Sequence, residues 1–230
     1  MLYLMSDYHG EYNMFIKMLK LINFCDTDKL IILGDVIDRG PDSIMLLQYV
    51  MGQPNIELLL GNHEEMMMLS VCFGNMMMYN CWLNNGGRST LDQFKLLSND
   101  RQLEIKQYLR SLPLYKIVDN FILVHAGIDP VYPEPTLLNI NAYMDAQKRE
   151  TLLWCRDEFV GEPALSNFKV IFGHTPTGCC LDIIGQPRLS SAKIWHDSGK
   201  IGIDCGACFR GGRLGCLRLD DMEEFYIERG

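Results

Sequence analysis

Short apolar runs recur along the chain, and each is followed by a polar or glycine-rich block. Runs of this length, bounded by turn-forming residues, predict β-strands. The runs are Leu2–Met5, 29–33, 56–60, 121–125 and Lys169–Phe172. Between the early runs the spacing of the apolar residues changes. Residues 11–22 place apolar side chains three and four positions apart, as an amphipathic helix does.

Further helices are predicted at 42–51, directly after Pro41 in the favoured first-turn position, at 64–71 and through 91–112. Strands that alternate with helices indicate a βαβ arrangement with parallel strands. The last third instead shows short apolar runs punctuated by glycine, which predict strands at 194–196, 200–204, 214–219 and 224–227. The pattern therefore predicts an α/β (α+β) fold in which two sheets pack face to face with helices outside.

Composition sets broad limits on this picture. The chain has 230 residues, 48% of them hydrophobic, which is enough for a sizeable core in a single domain spanning 1–230. No run approaches the ~18–20 consecutive apolar residues that a membrane span needs. The N-terminus has no basic segment followed by an apolar one, so we expect no signal peptide, a cytoplasmic location and no membrane partner.

The net charge of −8 comes without a basic stripe, which argues against a nucleic-acid polymer as partner and leaves a small nucleotide substrate open. Methionine runs at 66–68 and 76–78 favour a softly packed helical region, and a partner-binding surface is the alternative.

Nine cysteines in an expected intracellular setting predict reduced thiols. Cys205 and Cys208 have CxxC spacing, but we favour small buried thiols over a zinc or redox role because no second well-spaced pair accompanies them.

The polar blocks that follow the strands carry the functional signal. They lie at 6–10, 34–40, 61–64, 124–127 and 172–176. Aspartate, asparagine and glycine at strand ends are ordinary turn residues, so any one block is weak evidence. Four of the five histidines fall within the blocks, and the fifth, His196, is given a structural role. Since ligands gather at the carboxyl ends of parallel strands, the set predicts one site.

The first two blocks suit metal chelation. Asp7 and His9 lie two residues apart, so both side chains point the same way in an extended segment. Asp35 follows the second strand, where its carboxylate can bridge two ions. Later blocks add the Asn62 carbonyl oxygen and the His125 imidazole.

His174 adds a second late imidazole. These mixed nitrogen and oxygen ligands suit manganese, iron or zinc. Two such ions about 3.5–4 Å apart can activate a bridging hydroxide for direct attack on a phosphorus atom.

Three further residues fit phosphoryl chemistry. The planar guanidinium of Arg39 can hold a phosphate at two points. His63 is suited to protonate the leaving oxygen as a general acid, and Asp38 is the candidate carboxylate that orients it.

The motifs Asp-x-His-Gly, Gly-Asp-x-x-Asp-Arg-Gly, Gly-Asn-His-Glu, His-Ala-Gly and Gly-His-Thr-Pro resemble the signature of the calcineurin-like metallophosphoesterases, in the phosphoprotein phosphatase family. The resemblance spans residues 1–215. It implies the metallo-dependent phosphatase fold, with two mixed sheets flanked by helices, and a dinuclear centre. It implies that the first ion is bound by Asp7, His9 and Asp35, and the second by Asp35, Asn62, His125 and His174.

The resemblance further implies that Asp38 and His63 form the acid pair and that Arg39 binds phosphate. Trp154-Cys155-Arg156 resembles a Trp-x-Arg segment of the family, which makes Arg156 the second phosphate-binding arginine. Asn62 is also assigned a contact with substrate. The first motif departs from the family pattern because Ser6 stands where glycine is usual. Serine fits there if the position does not need positive φ.

Three functions compete. We favour a metal-dependent serine/threonine protein phosphatase of the bacterial or phage type, because Glu64, residues 82–87 and the Trp-x-Arg segment are similar to that branch. The alternative is a symmetrical diadenosine tetraphosphate hydrolase that releases ADP. Residues 125–128 and 214–219 favour it, whereas the chain lacks room for that branch's helical insert. A non-catalytic phosphate-binding scaffold fits least, since no proposed ligand is missing.

Overall fold

The computed structural model describes residues 1–130 and 134–229. Ten strands lie in these ranges: β1 (Leu2–Met5), β2 (Lys29–Ile32), β3 (Ile56–Leu58), β4 (Tyr115–Val118), β5 (Phe121–Val124), β6 (Lys169–Phe172), β7 (Trp195–Asp197), β8 (Lys200–Gly202), β9 (Arg213–Arg218) and β10 (Glu223–Glu228).

Ten α-helices and one π-helical turn connect the strands over the same ranges. They are α1 (Tyr12–Leu21), α2 (Ser43–Met51), α3 (Asn62–Phe73), α4 (Met76–Trp82), the π turn (Leu83–Gly87), α5 (Arg88–Lys95), α6 (Asn99–Ser111), α7 (Ile140–Asp145), α8 (Arg149–Trp154), α9 (Asp157–Val160) and α10 (Thr177–Ile183).

The strands form two mixed sheets of five. The first has the order β10-β9-β1-β2-β3, with β1, β2 and β3 parallel and β9 antiparallel to β1. The second has the order β4-β5-β6-β8-β7, with β5, β6 and β8 parallel and antiparallel strands at both edges. This is the predicted architecture, and the fold class is confirmed. Parallel strands share one orientation, so within each sheet their carboxyl ends open at the same edge.

Side-chain alternation explains how the sheets pack. In β1, Leu4 joins the cluster between the sheets, where it meets Ile31 of β2 and Ile171 of β6. Tyr3 and Met5 point to the opposite face and pack beneath the helices. Both faces of β1 are therefore buried, which accounts for a continuous apolar run rather than an alternating one.

The structure corrects several predicted boundaries. The helices predicted through 91–112 are α5 and α6, and α6 begins after Ser98, which caps it and accepts a hydrogen bond from the Arg101 N–H at 3.4 Å. Helix α2 begins at Ser43, so Pro41 precedes its first turn. Strand β4 was missed because its apolar residues alternate irregularly around Lys116.

The two methionine runs differ in environment. Residues 66–68 are buried in the core beneath the first sheet, as expected for soft packing, whereas Met76 and Met77 are exposed at the start of α4. In the described part of the chain, no helix combines the length and hydrophobicity that a membrane crossing requires. All nine thiols are unpaired.

Lys200 is a buried cation that ties the second sheet to α9. It is 1% exposed, and its ammonium donates to the carbonyl oxygens of Phe159 at 2.7 Å, Val160 at 3.1 Å and Glu162. These acceptors lie at the end of α9, where carbonyl groups have no partner within the helix. Burial lowers the pKa of Lys200 from its usual value.

Lys200→Met should lower the free energy of unfolding by about 3 kcal/mol, because buried carbonyl oxygens lose a charged donor. Urea unfolding measures the change. The exposed Lys169→Met, one strand away, is the matched control and should stay within about 0.5 kcal/mol of the unaltered protein. Equal free energies of unfolding in the two variants would show that the hydrogen bonds of the Lys200 ammonium do not stabilise the fold.

Candidate active site

The loops that leave the strand ends are strongly bent. Nine residues other than glycine have positive φ in the described ranges, and six of them belong to the polar blocks. The six are Asp7, His9, Asp35, Asp38, Arg39 and His174. Left-handed backbone at such residues costs on the order of 1 kcal/mol each and persists where the surroundings enforce it. The strain is therefore concentrated where the sequence placed its site.

Asp35 lies at the centre of the site, between histidines that follow strands of the two sheets. Its Oδ2 is 3.7 Å from Nε2 of His9, and its Oδ1 is 3.5 Å from Nε2 of His125. Potential ligand atoms fall into two groups of three that share this carboxylate: His9, Asp35 and His63, and Asp35, His125 and His174. Two cation sites with one common carboxylate are the arrangement that a bridging aspartate requires.

The histidines present unprotonated nitrogens to these groups. Nδ1 of His9 lies 3.0 Å from the Ile37 carbonyl oxygen, and Nδ1 of His125 lies 2.7 Å from that of Leu33. A carbonyl oxygen only accepts, so each Nδ1 carries the proton and each Nε2 offers a lone pair. Nε2 of His174 is buried without a hydrogen-bond partner. Burial lowers the pKa of each of these three histidines, which keeps them neutral and suited to bind a cation.

The side chain of Asn62 adds a further acceptor. Its Oδ1 is 3.0 Å from Nε2 of His125, so two acceptors face one another. Rotating the amide would let its nitrogen donate to His125 and to both oxygens of Asp35. A cation held here would favour the orientation with the oxygen facing inward, because only the amide oxygen of Asn62 could serve as a ligand. The donor set of nitrogen, carboxylate and amide oxygen fits manganese, iron or zinc.

Asp7 is held in place by two donors on one oxygen. Its Oδ2 accepts hydrogen bonds from the Ser6 hydroxyl and from the His174 N–H at 2.9 Å. Its Oδ1 is left facing Nε2 of His9 at 3.9 Å. Ser6 is absent from the residues of positive φ within the described ranges, so the serine found here strains nothing. A side chain at Gly173 would overlap the Ser6 hydroxyl, which explains the glycine.

Ser6→Ala is expected to weaken binding of Mn²⁺ about tenfold, because Asp7 loses a donor that fixes its orientation. Competition with a chromophoric chelator measures the affinity. The control is Ser70→Ala, which removes another buried hydroxyl, bonded only to the Met66 carbonyl oxygen in α3. Identical affinities in both variants would mean that the Ser6 hydroxyl does not support the ligand.

His63 and Asp38 form a close buried pair. Nδ1 of His63 lies 2.6 Å from Oδ2 of Asp38. The Asp38 carboxylate also accepts hydrogen bonds from the Thr90 hydroxyl at 2.6 Å and from the Trp82 indole at 2.8 and 3.0 Å. Burial raises the pKa of Asp38 to about 7, and the hydrogen bonds from Thr90 and Trp82 oppose that rise. The carboxylate fixes the ring so that Nε2 points into the site.

Two arginines flank the centre on different sides. Nη1 of Arg39 is 2.8 Å from Nε2 of His9, and its Nη2 is 3.1 Å from Nε2 of His63. Arg156 donates to the His174 carbonyl oxygen at 2.8 Å. Both guanidinium groups therefore lie beside candidate ligands, where they can meet phosphate oxygens.

The residues that favoured a protein phosphatase make contacts inside the protein that hold the site's backbone and side chains in position. Glu64 is fully buried and accepts hydrogen bonds from backbone N–H groups of Asp35, Val36, Ile37 and Gly61. Burial raises its pKa to about 8. Within residues 82–87, the Trp82 indole contacts Asp38 and the Gly86 carbonyl oxygen accepts from Arg39 N–H at 3.1 Å. Trp154 donates to Glu65 at 3.2 Å. These contacts are made within the protein and do not distinguish substrates.

Asp204 is a buried acidic residue that the sequence analysis did not single out. It is buried just beyond β8, and its Oδ1 accepts a hydrogen bond from Gly206 N–H at 2.8 Å. Burial and then the charge of Asp7 raise its pKa well above the usual value. The rule that found the other blocks, a polar residue at the end of a parallel strand, applies here too. His196 lies apart and pairs at the surface with Glu224.

The calcineurin-like phosphoesterase family model matches residues 2–201. The chain belongs to this family. The chain is similar to symmetrical bis(5'-nucleosyl)-tetraphosphatases. That of Coxiella burnetii (strain CbuG_Q212) is 28% identical over 191 residues, which are 81% of this chain and 58% of the relative. The relative from Nitrosospira multiformis is 30% identical over an alignment of 275 residues, which covers 100% of this chain and 96% of the relative. The chain thus spans 58% of the length of the first curated relatives that it matches.

Solved structures of this calcineurin-like phosphoesterase fold are also similar. A provisionally assigned diadenosine tetraphosphatase has a TM-score of 0.70 at 18% identity, covering 99% of this chain and 92% of its own. A protein serine/threonine phosphatase from Saccharomyces cerevisiae has a TM-score of 0.59 at 16% identity, covering 99% and 78%. At these identities the likeness shows the fold alone.

Proposed function

We propose that the protein is a metal-dependent hydrolase that cleaves diadenosine tetraphosphate symmetrically into ADP. The observation that carries the hydrolase assignment is Asp35, whose two oxygens face two separate groups of ligands. The substrate assignment is supported by the relative from Nitrosospira multiformis, which is named a symmetrical tetraphosphatase and is covered over 96% of its length.

The residues that favoured a protein phosphatase in the sequence analysis do not distinguish that function from dinucleotide hydrolysis. Glu64 and Trp82 are fully buried and contact the protein itself, and the partly exposed Trp154 donates to Glu65, so none of these contacts selects a phosphopeptide. The preference for the dinucleotide branch rests on the names of the similar proteins and not on length, because the alignment with the Nitrosospira multiformis relative runs over 275 positions against 230 residues here and leaves part of that relative without a counterpart. The alternative stated from the sequence is therefore the better proposal.

The chain's own residues divide the work on the tetraphosphate. Arg39 and Arg156 hold phosphate oxygens from two sides, and Asn62 adds a contact beside them. Bound divalent ions, with manganese as our proposal, supply Lewis-acid activation of the attacking water. To act as the acid, His63 must carry a proton on both ring nitrogens: Asp38 accepts from Nδ1–H, and Nε2–H gives its proton to the oxygen of the departing ADP as the bond between the two central phosphates breaks. This step requires the Arg39 guanidinium, which lies 3.1 Å from that nitrogen, to turn to the phosphate.

Parallel assays with manganese-loaded protein test the proposal. Diadenosine tetraphosphate and a phosphoserine/phosphothreonine peptide are offered at equal concentration, and kcat/KM is measured for each. We expect the dinucleotide to be preferred by at least about tenfold. Preference for the peptide would reject the dinucleotide assignment and restore the protein phosphatase interpretation. Hydrolysis of neither substrate would reject both.

A further inference from the structure

A short loop beyond β8 forms one wall of the site. It spans residues 206–212, here called the rim loop. Its backbone closes on itself, with Phe209 N–H donating to the Gly206 carbonyl oxygen and Gly212 N–H donating to that of Phe209, both at 2.9 Å. A side chain at Gly212 would overlap the Gly206 carbonyl oxygen, so the turn depends on that glycine. The position of the loop's tip is therefore fixed by its own hydrogen bonds.

Cys208 and Phe209 form the tip of the rim loop and lie against Arg39, the proposed phosphate-binding arginine. The guanidinium carbon of Arg39 lies over the Phe209 ring, 5.6 Å from its centre, and Nη1 of Arg39 is 3.5 Å from the Cys208 sulfur. Phe209 nevertheless remains 48% exposed, and Arg210 beside it is exposed as well. An aromatic ring that contacts a catalytic arginine and stays open to solvent is placed to meet the substrate.

We propose that Phe209 is a nucleobase-stacking residue and that the rim loop is a nucleoside subsite of the active site. The ligand is the base of a nucleotide whose phosphates are held by Arg39. The cation against the ring restrains it, and Arg210 adds positive charge for the polyphosphate chain. Stacking suits this task because any base offers a π face to an aromatic ring. The inference rests on the proposed function, since a phosphopeptide has no base to stack.

Leucine at position 209 keeps apolar bulk and removes the aromatic face, so F209L isolates stacking. Two quantities are measured: KM for diadenosine tetraphosphate, and the inhibition constant of inorganic tetrapolyphosphate, which has the phosphate chain without the bases. Both ligands need Arg39, so any disturbance of that residue changes both values alike. We expect the ratio of KM to the inhibition constant to rise about tenfold in F209L and to return in F209W.

Phe73 provides a matched control. It is 59% exposed, and the guanidinium carbon of Arg110 lies 5.6 Å from its ring centre, so it repeats the Phe209 geometry. It stands at the far end of α3, about 16 Å along the helix from Asn62. F73L should therefore keep the ratio of the unaltered protein.

The outcomes separate this inference from the proposed function. If F209L raises both constants by one factor, Phe209 only supports Arg39 and the subsite is rejected. An unchanged KM in F209L rejects it as well. If the unaltered protein does not hydrolyse the dinucleotide, the proposed function fails, and the subsite fails with it.

Discussion

Asp35→Asn is expected to lose most of its bound metal and nearly all of its activity. The carboxylate offers one oxygen to each group of ligands, and an amide would turn an N–H donor toward one of them. Losing a ligand common to both ions should lower turnover on the order of 10³-fold or more, because bound ions stabilise the transition state by several kcal/mol. Elemental analysis after gel filtration in manganese measures the metal content.

Asp182→Asn is the control for this change. Asp182 is an exposed aspartate whose partner is Arg188, so the same substitution there removes a charge without touching a proposed ligand. Its metal content should match that of the unaltered protein. Full metal occupancy in the Asp35→Asn variant would contradict the bridging role.

His63→Asn is expected to reduce turnover about 10²- to 10⁴-fold for an ester with a basic leaving group, because the amide cannot supply a proton at neutral pH. Phenyl phosphate is such an ester. p-Nitrophenyl phosphate releases a less basic phenolate, so its loss should be clearly smaller. The comparison of kcat for the two esters measures how much of the effect is proton donation.

Metal content distinguishes the acid role from a ligand role. Nε2 of His63 lies 3.9 Å from Oδ2 of Asp35 and falls in the same group of potential ligands as His9. The acid assignment predicts that His63→Asn keeps its metal, with the exposed His196→Asn as control. Metal loss as severe as in Asp35→Asn would make His63 a ligand, and equal loss for both esters would exclude proton donation.

The clustering of the candidate ligands could be predicted because these residues obey a local rule. Asp7, Asp35, His125 and His174 each follow a short apolar strand, and parallel strands carry such residues to one edge. The strands themselves were predictable because burial on both faces leaves β1, β2 and β6 almost wholly apolar. Sequence order therefore carried most of the three-dimensional information about the centre.

Other features depend on contacts between distant segments and were not predictable. The hydrogen bond from Thr90 to Asp38 joins residues that are 52 positions apart, and no local pattern indicates it. In sequence Glu64 resembles a residue of the phosphatase branch, whereas its partners in the structure are backbone groups up to 29 residues away. Substrate choice depends on how loops such as the rim loop surround the site, which the strand-end motifs do not specify.

Product analysis of diadenosine tetraphosphate after incubation with manganese-loaded protein tests symmetrical cleavage directly. Attack between the two central phosphates predicts ADP as the nucleotide product from the first turnovers onward. The Asp35→Asn variant should form none above background. AMP together with ATP, or intact dinucleotide in a preparation that dephosphorylates the peptide, would contradict the proposed function.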